Sequence, residues 1–312
     1  MAIFEDPARE ADLRLRGYTI VPLLDPEAVA GLWDSLVRLR EQHEFARTDA
    51  AGAKLTYHAS FMDRDQDYRI ASIHLIRERL GPPLAKVLPG FDILMGCFHI
   101  KPPGTGHVGI HKDWTVTENV DELSLNVWCP LVDVDDSNGT LRMIEGSHGL
   151  YPHIAAPGTH AYWQDYIPSL EAASKPLSLK AGEAVIYDST VLHWSKPNMS
   201  GSTRAAVGLS AIRAGSRPVF HVLDSAAGGS RFETFDMSGD AFLSHPAADL
   251  YAGQITGPRL GFVENRNRPV PHAEFRRDLE RAWRGRGGAP RTDGAASRLR
   301  SLAARLTGRR SA

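Results

Sequence analysis

Short apolar runs separated by turn residues dominate the chain from Phe91 to about Ala211. The first run ends at the turn-forming Pro102-Pro103-Gly104, and later runs are bounded by Asn138-Gly139 and by Gly182. Runs of this length, punctuated by Gly, Pro and Asn, are typical of antiparallel strands. At 312 residues, one all-β unit with helical additions fits the length better than two domains.

Helices are predicted before these runs, over residues 6–16, after Asp25-Pro26 and over residues 70–88. Asp at the N-cap followed by Pro at the first helical position is a typical helix start. The second helix carries an apolar stripe that is predicted to pack on the core; the stripe consists of Val29, Leu32, Leu36 and Leu39.

His111 and Asp113 lie two residues apart in a strand-like run. On a strand, such residues point to the same face, so the imidazole and the carboxylate converge. His193, in a later apolar run, can supply a third ligand. Two imidazoles and one carboxylate leave one side of an ion open, which suits a non-heme Fe(II) that takes up a cosubstrate and O2. A His-x-Asp triplet alone is weak evidence because chance produces one in a chain of this composition.

Arg204 begins another apolar run, eleven residues after His193. A buried Arg is costly unless it meets an anion, and its planar guanidinium suits a carboxylate. A bound carboxylate and an ion pair with an acidic residue of the barrel explain Arg204 equally well at this point.

The segment LSLNVWCPL alternates in polarity. Asn126 and Trp128 fall on one face, and Leu125, Val127 and Cys129 on the other. If the first face lines the interior, Asn126 and Trp128 flank a bound cosubstrate; otherwise they lie on the surface.

Four segments together resemble the phytanoyl-CoA dioxygenase family of Fe(II)/2-oxoglutarate-dependent oxygenases: KPPGTG, HKD, SNGTLRMIEGSHG and GEAVIYDSTVLHWSKPNMSGSTR. The resemblance extends from Gly17 to about Ala211. It implies a mainly β fold with flanking helices, a double-stranded β-helix (jelly roll, cupin-like barrel).

The resemblance also implies the site. Iron is expected on His111, Asp113 and His193, and the distal carboxylate of 2-oxoglutarate on Arg204. Cys97, Trp128 and Ser195 match positions that contact the cosubstrate. No Ser stands two residues after Arg204, as it does in some 2-oxoglutarate oxygenases, so Ser195 or Thr203 is expected to supply that hydroxyl.

The implied reaction uses Fe(II), 2-oxoglutarate and O2 to hydroxylate an unactivated C–H bond, with release of succinate and CO2. Asp113 argues against a halogenase, which needs that iron position free for halide. Two alternatives remain: a cupin-like metalloenzyme that does not use 2-oxoglutarate, and a non-catalytic ligand-binding barrel. Arg204 counts against the first and the intact His-Asp-His set against the second.

Composition limits the classes of partner and the cellular compartment that we expect for the chain. A net charge of −1 gives no general attraction to nucleic acid. The two cysteines lie in apolar runs, which predicts free thiols and a reducing, cytoplasmic compartment. No apolar stretch approaches the length of a membrane span.

Two loops are candidates for substrate contact. The insertion 150–175 carries Tyr151, Tyr162, Trp163 and Tyr166 and is the first candidate for a substrate lid. Tyr57, Phe61 and Met62 either cover the pocket mouth or belong to a solvated loop. The expected substrate is a small or medium organic molecule, and it is expected to be anionic if Arg213 and Arg217 face it.

The C-terminal third gives weaker signals. Residues 214–270 read as loop-rich, and residues 286–312 as a basic, disordered tail because Arg alternates there with Gly and Ala. Residues 1–285 are therefore predicted to form a single domain.

Overall fold

The structure is a computed structural model that describes residues 2–40, 49–50, 53–54 and 56–288. The helices, in chain order, are α1 (Pro7–Arg16), α2 (Pro26–Leu39), α3 (Gln66–Val87), α4 (Ile167–Ala173), α5 (Ala241–Ser244), α6 (Ala247–Ala252) and α7 (His272–Gly285). Short 3-10 turns cover Ser60–Met62 and Gln164–Tyr166. None of the helices in this part of the chain is long and apolar enough to cross a membrane.

The strands fall into an N-terminal group, a central group and a C-terminal group. The first group comprises β1 (Tyr18–Pro22), β2 (Asp49–Ala50), β3 (Ala53–Lys54) and β4 (His58–Ala59). The central group comprises β5 (Phe91–Lys101), β6 (Val108–His111), β7 (Leu125–Pro130), β8 (Leu141–Met143), β9 (Lys175–Pro176), β10 (Glu183–Asp188), β11 (His193–Ser195) and β12 (Arg204–Arg213). The last comprises β13 (Val219–Leu223), β14 (Arg231–Asp236) and β15 (Arg259–Glu264).

The N-terminal helices begin where the sequence predicts. The Asp25 carboxylate accepts a hydrogen bond of 2.8 Å from the backbone N–H of Ala28, which caps α2. The third helix begins four residues earlier than predicted because Asp65 caps it through the N–H of Tyr68 at 3.1 Å. The predicted stripe of α2 is buried except for Leu39, which is 39% exposed and was wrongly assigned to the core.

The central strands form two facing antiparallel sheets. The larger has the order β1-β10-β7-β12-β5-β4, and the smaller has the order β6-β11-β8-β9. From β5 to β12 the chain crosses repeatedly between the sheets, which is the connectivity of a jelly roll. The predicted double-stranded β-helix is therefore confirmed, although the described strands make two separate sheets and not one closed barrel.

Asn138-Gly139 lies where the chain leaves one sheet for the other. Strand β7 belongs to the larger sheet and β8 to the smaller, so this turn does not close a hairpin.

Alternation along the strands separates two cores. Leu125, Val127 and Cys129 pack outward with α2 and α3. Trp128 faces the space between the sheets with Met143 and Tyr187. Cys97 and Cys129 are both free, as predicted.

The region after β12 differs from the loop-rich segment that we expected. Strands β13, β14 and β15 form a third antiparallel sheet. Four residues of this region pack into one buried cluster with Leu94, near the start of β5. They are Phe220, Met237, Phe242 and Leu250. The sequence did not indicate this sheet because its strands are short and the connection between β14 and β15 contains two helices, α5 and α6.

Candidate metal centre

His111 ends β6, and His193 begins β11. The two residues lie opposite each other in the antiparallel pairing of these strands. Their rings are 4.2 Å apart between centroids. Strand pairing therefore brings together two histidines that are 82 positions apart in the sequence.

Asp113 follows β6 directly and completes the set. Its Oδ1 lies 3.9 Å from His111 Nε2, and its Oδ2 lies 3.7 Å from His193 Nε2. The three ligand atoms are all within 4.8 Å of one another, and the described residues contain no other such group. The structure thus assembles the three predicted ligands at one point.

Both rings are oriented by the backbone. His111 Nδ1 donates to Gly109 O at 2.8 Å, and His193 Nδ1 donates to Val191 O at 3.0 Å. These bonds leave Nε2 of each ring facing Asp113 as a ligand. Burial, with His111 beside it, lowers the pKa of His193 to about 4, so that the neutral, metal-binding form prevails.

Neighbouring polar groups fix the carboxylate. Asn126 Nδ2 donates to Asp113 Oδ2 at 2.5 Å, and Ser210 in turn donates to Asn126 Oδ1. The Tyr187 hydroxyl lies 3.5 Å from His193 Nε2, and burial together with Asp113 holds its pKa well above the usual range. Asn126 therefore lies in the interior, as the first alternative predicted, where it contacts Asp113 of the candidate metal centre. Its contact with the cosubstrate stays a prediction. The set of two imidazole nitrogens and one oriented carboxylate fits Fe(II).

Arg204 lies on the same inner surface at the start of β12 and is 2% exposed. Its Nη1 and Nη2 donate to His99 O and Gly139 O, both at 3.3 Å, and its guanidinium lies 5.5 Å from the centroid of the Trp128 ring. Its Nε has no hydrogen-bond partner. No carboxylate among the described residues lies within 4.0 Å of it, so the alternative of an ion pair within the barrel is not what the structure shows.

Ser195 and Thr203 were both candidates for a second anion contact. Ser195 follows His193 on the inner face of β11 and is 3% exposed. Thr203 lies on the opposite side of the larger sheet, in a groove beside α2. Only Ser195 is therefore placed to meet a ligand beside Arg204.

Two further side chains of this surface were not singled out from the sequence. Lys101 is 1% exposed, and its Nζ donates to Ser195 Oγ at 2.7 Å and to Lys196 O at 3.1 Å. Burial, with Arg204 beside it, lowers the pKa of Lys101 to about 6. His99 projects from the same face of β5, and burial together with Arg204 lowers its pKa to about 3. The period-2 pattern through Cys97, His99 and Lys101 was the available signal.

His99 needs space that a glycine provides. A Cβ atom on Gly208, which pairs with Cys97 across β5 and β12, would lie 2.9 Å from His99 Nε2. Any larger residue at position 208 would force the His99 imidazole to move.

Cys97 lies at the edge of this surface. Its Sγ accepts from the backbone N–H of Phe61 at 3.4 Å, and it packs with Tyr57 and Met62. Burial raises its pKa to about 11, so the thiol stays protonated. Its predicted contact with the cosubstrate stays a prediction.

The segment before α3 forms one wall of the site. Tyr57 is 7% exposed; its ring lies 6.0 Å from His99, and Lys101 Nζ lies 5.7 Å from the Tyr57 ring centroid. Strand β4 then pairs with β5. Of the two interpretations of this segment, contact with the pocket is the one that the structure supports, and a solvated loop is wrong.

The insertion 150–175 is not a lid. Tyr162, Trp163 and Tyr166 are buried with Ile110, Trp194 and Phe275. Ile110 and Trp194 alternate with His111 and His193, so this cluster lies on the far side of the smaller sheet from the metal ligands. The prediction was wrong because aromatic content does not distinguish a pocket wall from a second core.

Trp114 and Tyr251 lie nearer to the site. Trp114 follows Asp113, and its ring meets the Tyr251 ring at 4.9 Å. Partial burial, with Cys97 and Asp113 nearby, raises the pKa of Tyr251 to about 12. Nothing in the sequence predicted that Tyr251, on the short helix α6, would contact Trp114.

The other charged candidates have local partners. Arg213 packs over the Phe91 ring at 5.1 Å, and Arg217 lies 3.5 Å from Glu118. His148 Nε2 donates to Arg14 O at 3.2 Å.

Residues 14–206 match the sequence profile of the phytanoyl-CoA dioxygenase family. The chain belongs to this family. Among curated proteins, it is 27% identical over 124 residues to phytanoyl-CoA dioxygenase 1 of Oryza sativa subsp. japonica. That match covers 38% of this chain and 44% of the relative, so the chain spans less than half of the relative it matches.

Solved structures are similar to part of this chain. EvdO2 from Micromonospora carbonacea var. aurantiaca is 18% identical and has a TM-score of 0.50; the match covers 72% of this chain and 96% of EvdO2. SnoN, described as a non-heme alpha-ketoglutarate-dependent epimerase from nogalamycin biosynthesis, is 21% identical and has a TM-score of 0.48; that match covers 69% and 86% of the two chains. At such identities, the likeness concerns the fold alone.

Proposed function

We propose that the protein is an Fe(II)- and 2-oxoglutarate-dependent oxygenase that hydroxylates an unactivated C–H bond of a small or medium organic molecule. One observation carries the proposal. Arg204 is a buried cation without an acidic partner among the described residues, on the same inner surface as the His111–Asp113–His193 set. An uncompensated buried charge is costly, and a bound carboxylate removes that cost.

The chain's residues divide the work. His111, Asp113 and His193 would hold Fe(II), which, with 2-oxoglutarate and O2, would supply the oxidant while succinate and CO2 are released. Arg204 and Ser195 would hold the distal carboxylate of 2-oxoglutarate. Trp128 would pack beside it, since its ring already lies against the Arg204 guanidinium.

The substrate would enter between aromatic walls. Trp114 and Tyr251 form one wall, and Tyr57 forms part of another. Arg213 and Arg217 are engaged with Phe91 and Glu118, so the geometry favours a neutral substrate over the anionic one that the sequence allowed. The walls are apolar enough to exclude water and to orient the reacting C–H bond.

The alternative of a metalloenzyme that does not use 2-oxoglutarate lacks a specific observation in its favour. It leaves Arg204 without an anion. A non-catalytic barrel leaves the neutral, oriented ring of His193 unexplained.

Turnover of 2-oxoglutarate tests the proposal. Protein supplied with Fe(II), O2 and 2-oxoglutarate should release succinate slowly without substrate and faster with an accepted one. His193→Ala should release none. Lys196→Met, directly after the same strand but paired with Asp136, should match the wild type. Iron binding without any binding or consumption of 2-oxoglutarate would reject the cosubstrate and favour the alternative metalloenzyme.

A further inference from the structure

The KPPGTG segment places a lysine beside the arginine of the site. Lys101 ends β5 and lies opposite Arg204 in the pairing of β5 with β12. The two side chains are 1% and 2% exposed. The segment therefore buries a second cation next to the first.

The turn after Lys101 is shaped around its side chain. Gly106 has a φ of 89°, and a Cβ atom there would lie 2.5 Å from the Lys101 side-chain carbons. Asn198 clamps the start of the turn because its Nδ2 donates to Lys101 O at 2.8 Å and its backbone N–H donates to Thr105 O at 2.8 Å. Lys101 is thus held in one position, and Gly106 gives its stem the necessary space.

Neither cation has an acidic partner in the part of the chain that the structure describes. The ion pairs found there include neither Lys101 nor Arg204. Lys196, which directly follows β11, pairs with Asp136 at 2.7 Å. Two adjacent buried cations are unfavourable, and for this reason the pKa of Lys101 falls to about 6 in the free protein; an anion between them would favour the charged form of Lys101.

The hydrogen bond between Lys101 and Ser195 has only one possible direction when the amine is charged. An ammonium group can only donate, so Ser195 Oγ accepts at 2.7 Å. The hydroxyl hydrogen of Ser195 is then free to point at another acceptor. A carboxylate held by Arg204 is the acceptor that this arrangement fits.

We propose that Lys101 is a positioning residue for the distal carboxylate of 2-oxoglutarate: it directs the Ser195 hydroxyl toward that carboxylate and adds a second positive charge beside Arg204. This inference rests on the proposed function. It adds to that function a selectivity for keto acids with a second carboxylate.

The test compares two keto acids. 2-Oxopentanoate has the keto-acid end of 2-oxoglutarate but no distal carboxylate. Their dissociation constants are measured calorimetrically without O2 on Fe(II)-loaded wild type, Lys101→Met and the surface control Lys196→Met. Lys101→Met should weaken 2-oxoglutarate binding about ten- to a hundred-fold. Binding of 2-oxopentanoate and of Fe(II) should change less than about two-fold, and the control should match the wild type.

The outcomes separate this inference from the proposed function. Equal weakening of both keto acids by Lys101→Met would make Lys101 a purely structural residue and overturn the inference. Wild type that binds Fe(II) but not 2-oxoglutarate would reject the proposed function, and the inference with it. Adding Ser195→Ala to Lys101→Met should cost little more, because both residues act on the same contact.

A measurement on the wild type covers the case in which Lys101→Met does not fold. The pKa of Lys101 is about 6 in the free protein, and a neighbouring carboxylate would raise it. The preference for 2-oxoglutarate over 2-oxopentanoate should therefore be largest near pH 6 and fall toward pH 9.

The groups that face Lys101 do not titrate in this range. Burial lowers the pKa of Arg204 to about 10 and that of His99, which also faces Arg204, to about 3. Burial raises the pKa of Tyr57 above its usual value. A preference that stays constant from pH 6 to pH 9 would overturn the inference.

Discussion

Strands β6 and β11 have two faces with opposite characters. The inner face carries His111 and His193, whose Nε2 atoms face Asp113, and Ser195, whose Oγ accepts from Lys101. The outer face carries Ile110, Leu192 and Trp194, which are sealed by the insertion and by α7. The same few residues thus build a site on one side and a core on the other.

The difference lies in what each face lacks. On the outer face both indole N–H groups find protein acceptors: Trp163 donates to Ile110 O and Trp194 to Ser174 Oγ. On the inner side, Arg204 Nε has no partner and two cations share no counterion among the described residues. A buried cation without a counterion marks the binding surface, and aromatic content does not. An unpaired neutral hydroxyl is not such a mark, because that of Tyr166 lies in the outer cluster.

Alanine substitutions of two adjacent residues, His193 at the start of β11 and Leu192 just before it, should have the largest effects on activity and on stability. His193→Ala should abolish Fe(II) binding and reduce turnover to background. Leu192→Ala, which truncates a fully buried side chain, should cost about 2–5 kcal/mol of unfolding free energy. Metal titration and thermal unfolding distinguish the two. A stable, iron-binding His193→Ala variant would remove His193 from the ligand set.

The outer cluster can be tested through the insertion. Trp163→Ala should destabilise the protein by about 3–5 kcal/mol because it empties a buried site and leaves Ile110 O without its donor. The ratio of hydroxylated product to 2-oxoglutarate consumed should stay unchanged in the folded fraction. A fall in that ratio without loss of stability would restore the lid that the sequence suggested.

Arg204→Lys tests whether the inner face binds the carboxylate of 2-oxoglutarate through Arg204. Lysine keeps the charge but loses the planar fork, so 2-oxoglutarate affinity should fall about ten- to a hundred-fold. Fe(II) affinity should not change. Titration of the protein with 2-oxoglutarate and with Fe(II) measures both affinities. Arg213→Lys, at the other end of the same strand, is the control. An unchanged 2-oxoglutarate affinity would move the anion contact elsewhere.

The smallest effect is expected at the C-terminal end. Arg286 donates to Gly146 O at 2.9 Å and to His148 O at 2.7 Å, which ties the end of α7 to the outer side of the fold. Removal of residues 286–312 should cost about 1–3 kcal/mol, and removal of residues 289–312 should cost nothing measurable. Thermal unfolding of both truncations measures the difference. Residues 289–312 lie outside the described residues, and the predicted disorder of that tail stays a prediction.

The sequence alone determined much of the fold and of the candidate metal centre. The capped starts of α1 and α2 depend on local chemistry at Asp6 and Asp25. The face shared by His111 and Asp113 follows from the period of a strand. The alternation around Asn126 likewise separated the inner face from the outer one, because a strand allows no other arrangement. The family motifs then connected these positions with His193 and Arg204.

The positions of the other site and core residues depend on which surfaces meet, so only the tertiary structure decided them. Lys101 became part of the proposed anion pocket only when β5 paired with β12 and Ser195 came within 2.7 Å. Tyr251 reached Trp114 through the packing of a short helix with no local signal. Trp163 went to the far side of the sheet because the partner for its apolar surface was Phe275 of α7. Sequence periodicity fixes which residues share a face, whereas long-range packing fixes what that face touches.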